Sequence, residues 1–155
     1  MFSLIITIVS IALVVALVAA TMYNGGDTLT SGRTSADAAA FVTGAQQIAG
    51  AQVMHMSLNS VPATTISGGA VGTDLVLDKF LASAPVVKAD ATKGGWVLDT
   101  VNRLVTNVTA SSAVCAQINK TAGVDSTKLA TAVPADYANL PYGCDTTKNT
   151  LQFKY

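Results

Sequence analysis

The sequence predicts an α+β fold in which a long N-terminal α-helix, apolar in its first half and amphipathic in its second, packs on a small antiparallel β-sheet. Three observations carry this. Residues 1–23 contain no charged side chain, and the first charge is Asp27. Residues 31–57 repeat apolar side chains at three- and four-residue spacing. Short β-branched runs follow in the second half of the chain, divided by Gly and Pro.

At a helical rise of about 1.5 Å per residue, 1–23 reaches about 34 Å, enough for the ~30 Å hydrocarbon core of a bilayer. Three readings stand: a cleaved signal, a membrane anchor, or a working part of the mature protein. A cleaved signal wants a basic start before a 7–15-residue apolar stretch, and nothing basic precedes this longer run, although Val18-Ala19-Ala20 passes for a cleavage site. Ser3, Thr7, Ser10 and Thr21 can bond back to helix carbonyls and so do not forbid insertion. Ala12, Ala16, Ala19 and Ala20 recur at helical spacing and would let neighbouring helices approach closely.

Asn24-Gly25-Gly26 is expected to loosen or break the helix. A second helix is expected from about 31 to 57, with Ala38, Phe41, Val42, Ala45, Ile48, Ala49, Val53 and Met56 on its packed stripe. Gln46, Gln47 and Gln52 fall mostly off that stripe, and Pro62 ends any continuation. The expected division is thus a hydrophobic helix segment, 1–23, and a globular head, 24–155.

Residues 61–72 read as loop. Their glycines make no phosphate cradle, because GGAVGTDL lacks the lysine that must follow. Residues 73–84 fit either a short helix capped by Thr73 or an extended segment, closed by Pro85. Trp96-Val97-Leu98 and 103–110 read as two strands, with Trp96 as a core or sheet-face anchor. Ser111-Ser112 cap a short helix ending at Gly123 that buries Val114 and Ile118 and sets Cys115 near its packed side. A loop is expected over 130–143, then Cys144, then a closing strand over 150–155.

Composition excludes several functions. The nine acidic residues are all Asp, balanced by seven Lys and two Arg. No basic run is dense enough to neutralise phosphates, so no nucleic-acid binding is expected. His55 is the only histidine, and a surface or half-buried place near a helix end is expected for it. With no Cys-x-x-Cys spacing, no metal or cofactor site is expected. No Gly-x-Ser-x-Gly nucleophile elbow occurs, and nothing local selects a pair of catalytic carboxylates. Asn107-Val108-Thr109 and Asn119-Lys120-Thr121 match the eukaryotic glycosylation sequon, which would mean little by that route if the protein is bacterial. Behind an export segment, Cys115 and Cys144 read as one disulfide; in a reducing compartment they would be two separate buried thiols.

The opening MFSLIITIVSIALVVALVAATMY, the helix SADAAAFVTGAQQIAGAQVM, and CAQINKTAG with the late LPYGC follow one another as the parts of type IV pilins do, and the chain resembles that family, including its pseudopilins. The resemblance spans the whole chain, and Met1 before Phe2-Ser3-Leu4 looks like the type IVb class. It implies a pilin-like fold and a structural subunit, not an enzyme. It implies N-terminal processing and methylation at Met1, and helix–helix assembly through Phe2, Leu4, Ile5, Ile8, Ile11, Ala12, Val15, Ala16 and Ala19. The partners implied are copies of the chain in a helical filament, the inner membrane before assembly, and the pilus assembly machinery. The location implied is an extracellular pilus of a Gram-negative bacterium. Ile5, or Ile6 if Phe2 is the first mature residue, stands where the family usually has a glutamate, and no basic leader ending in Gly precedes Met1. Two rival expectations are a minor pilin or tip adhesin using 62–72 or 120–143, and a single-pass membrane-anchored periplasmic domain.

Overall fold

A computed structural model of the chain describes residues 2–89 and 92–155, without the side chains of 24–27. Its elements are α1 (Phe2–Asn59), β1 (Val97–Asp99), β2 (Leu104–Val108), α2 (Ser112–Ala122), a 3₁₀ turn (Pro134–Tyr137), β3 (Tyr142–Asp145) and β4 (Thr150–Lys154). The sheet order is β1-β2-β4-β3 with every neighbouring pair antiparallel, so the fold is α+β as expected. By contact the chain separates into two compact units, Met1–Arg33 and Thr34–Tyr155.

α1 corrects one expectation: it is a single helix and does not break at Asn24-Gly25-Gly26. Each helical glycine costs only about 1 kcal/mol relative to alanine, which long helical stretches on either side outweigh.

Within Thr34–Tyr155 the packed stripe of α1 is Ala38, Phe41, Ala45, Ile48, Gln52 and His55, all essentially buried, at strict 3/4 spacing. The expected stripe drifted one position at its end. Val53 is 53% exposed and Met56 half-buried, whereas Gln52 and His55 are 0% exposed. The polar residues at these inward places reach partners across the core: Gln52 Nε2 donates to Ala63 O at 3.0 Å, and His55 Nδ1 lies 3.0 Å from Val61 O, while Gln52 Oε1 meets no partner among the described residues.

The core joins this stripe to Leu98, Val105 and Leu151 of the sheet and to Val114, Cys115 and Ile118 of α2. Trp96 precedes β1 rather than belonging to it. Its ring lies 6.1 Å from that of Phe41, and its Nε1 donates to Pro85 O at 2.8 Å. Gly44 permits this, since a Cβ there would sit 2.8 Å from the indole.

α2 begins and ends as its sequence prescribes. Ser111 accepts the Val114 N–H, and Gly123, at φ 88°, sends its own N–H back to the last carbonyls. Residues 73–84 are neither helix nor strand: turns run to Lys79, with Asp74 in an isolated bridge to Thr65, and bends follow. Asp74 Oδ1 takes the N–H groups of Val76 and Leu77 at 2.9 and 3.0 Å, and Lys79 at φ 62° stops any helix.

The expected loop over 130–143 is also corrected, because its last two residues open β3. Tyr-Gly-Cys-Asp carries no β-branched residue, so local preference did not reveal it. The strand exists because β4 pairs with it from Tyr142↔Phe153 to Asp145↔Thr150. Asp145 Oδ1 then accepts the N–H and hydroxyl of Thr147, which shapes the turn between the two strands.

Candidate functional site

In the unit Met1–Arg33, an exposed helical surface is apolar on every side. Of the residues expected to assemble, Phe2, Leu4, Ile5, Ile8, Ile11 and Val15 are between 58% and 84% exposed, and Ala12, Ala16 and Ala19 are exposed between them. Helical spacing lines up Ile5, Ile8, Ala12, Val15 and Ala19 on one face. Met1 lies outside the described residues. The stripe understates the surface, since Ile6, Val9, Leu13, Val14 and Leu17 are equally bare. Hydropathy summed over all faces, rather than periodicity, is the signal that finds them.

A helix apolar all round needs burial by lipid or by other helices. This one is long and apolar enough to cross a membrane, by length and composition. Three of its hydroxyls are satisfied within the helix itself: Thr7 donates to Leu4 O, Ser10 to Ile6 O and Thr21 to Val18 O, at 2.8–2.9 Å. A shallow groove of about 230 Å³ on this surface is lined by Ser10, Ile11, Val14 and Val15.

In the unit Thr34–Tyr155 the cysteines are bonded, with Cα atoms 5.3 Å apart. One turn along α2, Asn119 binds the same strand: its Oδ1 accepts the Cys144 N–H at 2.7 Å, and its Nδ2 donates to Cys144 O at 2.9 Å. Asn119 is fully buried and Asn107 is 2% exposed, so neither sequon presents its amide to solvent.

The chain from 61 to 81 is organised by two carboxylates. Burial works to raise the Asp74 carboxyl, but the N–H groups of Leu77, Gly69 and Val76 and the Thr65 hydroxyl outweigh it and hold it below its ordinary value. Asp78 is also held low, chiefly by the Gly72 N–H, with His55 and the Asp74 N–H adding to it. Its Oδ2 lies 3.2 Å from His55 Nε2, and the His55 ring meets the edge of Phe80 at 5.1 Å. His55 is therefore a buried tie between α1 and this loop, not the surface or half-buried residue expected.

Among the described residues no group of three or more His, Cys or Asp side chains could hold a metal ion. A groove of about 580 Å³ lies at β1, lined also by Thr64–Ser67 and by Ala84, Pro85 and Val86. No protein-family model, curated protein or solved structure matches the chain.

Proposed function

We propose that the protein is a structural subunit of an extracellular type IV pilus-like filament, held in the inner membrane before assembly and polymerising through its N-terminal helix. One observation carries the reading: a charge-free helical surface, exposed on every face over 2–23, begins a chain whose second unit is a disulfide-bonded α+β domain. Lipid and neighbouring apolar helices are alike in polarity, so moving such a helix from one to the other gains little hydrophobic free energy. Close packing at Ala12, Ala16 and Ala19 then contributes to association, and an external machine drives the transfer.

Electron microscopy of sheared cell-surface material, with N-terminal mass analysis of its main band, tests the proposal. Filaments composed mainly of this chain are expected. A chain found only in the membrane fraction, with no filament, refutes it in favour of an anchored periplasmic domain.

A further inference from the structure

The two edges of the sheet are treated differently. At β3, the Cys144 N–H and C=O are both taken by the Asn119 amide, which closes that edge as a neighbouring strand would. β1 has β2 on one side only. The Val97 carbonyl accepts from Thr106 Oγ1 of β2, and the Asp99 carbonyl from the hydroxyl of Tyr155, which follows β4, each at 3.4 Å. Both carbonyls therefore turn into the sheet. In an antiparallel pair the hydrogen-bonding direction alternates, so the N–H and C=O of Leu98 turn outward. Among the described residues no main-chain group meets them, although Leu98 is only 9% exposed.

Leu98 lines the 580 Å³ groove, whose size lies within the range of ordinary binding clefts. All eleven lining residues are uncharged: apolar surface comes from Ile66, Pro85, Val86 and Trp96, hydroxyls from Thr64, Thr65 and Ser67. Among the described residues the lining has nothing to neutralise a charged ligand. An open strand edge with apolar surface beside it is the arrangement by which extended peptides are bound, main-chain hydrogen bonds giving affinity and alternate side chains entering the groove.

We infer that the β1 edge is a strand-addition site for a short, uncharged, extended peptide segment of another protein, paired to the Leu98 N–H and C=O and resting its apolar side chains against Trp96, Ile66 and Val86. β1 is three residues long, so the segment gains about 10 Å of pairing, and the complex is short-lived and reversible. The inference does not depend on filament formation.

Trp96 is the only tryptophan and reports directly on the groove. The full-length protein in detergent is titrated with a capped heptapeptide alternating Val and Thr. A saturable shift in Trp96 emission is expected, together with at least tenfold slower exchange of the Leu98 amide. The same peptide with alternate amides methylated should produce neither effect. V86K and S67K place a charge at exposed positions of the groove wall and should weaken binding at least tenfold while leaving near-UV circular dichroism unchanged. Equal binding of the methylated peptide, or a Leu98 amide already protected in the free protein, overturns the inference. Trp96 emission that varies with protein concentration, without peptide, makes a second copy the occupant and overturns it as well.

Discussion

Asn119 binds Cys144 through both main-chain groups of that residue, its Oδ1 at 2.7 Å from the N–H and its Nδ2 at 2.9 Å from the carbonyl oxygen. Cys115, one turn earlier on α2, is bonded to the same residue. A single face of α2 thus fixes β3 twice, once covalently and once by an amide standing in for a strand.

Replacing Asn119 with Ala strips a buried N–H and a buried C=O of their partners, which costs about 2–4 kcal/mol. N119D should fare no better, because its carboxylate faces the Cys144 carbonyl. Reducing the disulfide, whose sequence separation is 29, should remove about 3–4 kcal/mol in the chain-entropy account. Since both ties hold one strand, the two losses should not add. Urea unfolding of the full chain in detergent, with and without reductant, measures all four states. Strict additivity would show that the ties act independently.

Gly143 lies beneath the Tyr137 ring, which occupies the space a Cβ would need. Burial pushes the Tyr137 phenol well above its ordinary value, and its hydroxyl donates to Gln152 Oε1 at 3.3 Å. The ring cannot swing away without losing that place. G143A should destabilise by about 2–3 kcal/mol through overpacking, and by clearly less in a Y137L background. A double-mutant cycle reads this coupling, and a cycle that closes at zero would contradict the contact.

Asp74 and Asp78 are held below their ordinary value when folded. Their contribution is complete above the unfolded carboxylate range, near pH 4, and is lost as pH falls through the lowered folded values. Exchange protection of the Gly69, Val76 and Leu77 amides should therefore collapse in acid before that of Val105 in β2. D74N should weaken this protection already at pH 7, because an amide cannot accept from all four of the donors now satisfied. Loop and sheet amides opening together would mean that the carboxylates do not act locally.

Ile11 lies midway along the apolar run and is 65% exposed. I11D places a charge at the bilayer centre at a cost of about 2.5–3.5 kcal/mol. The proposed filament function then predicts loss of membrane retention and of filaments. A16L, which keeps hydropathy but fills the space between helices, should preserve membrane retention while reducing filament yield. Fractionation and electron microscopy separate the two effects. Normal filaments from I11D would remove the helix from the proposed role.

Legibility from sequence followed the range of the determining interactions. α2 was readable to its caps because Ser111 and Gly123 act within one turn. β2 was readable from its β-branched content, and β4 from the alternation of Leu151, Phe153 and Tyr155 with polar residues, both of which belong to the strand itself. The inward Gln52 and His55 were missed because their places depend on Ala63, Val61 and Asp78, which are distant in sequence or carry no periodic signal. The groove along β1 was not visible either, since Thr64–Ser67, Pro85 and Trp96 meet only after folding.

By itself, then, the sequence determined the elements whose cause is local: the charge-free helix, the amphipathic stripe through Ile48, the capped α2, and the two strands with their own β character. The tertiary structure alone decided the rest. It made Tyr142–Asp145 a strand through β4 and Asn119, turned residues 73–84 around Asp74, and left Leu98 at an open edge. In each of these the decisive hydrogen-bond partner, or its absence, is set by chain brought from elsewhere or by turn geometry without a period, so no local pattern could announce it.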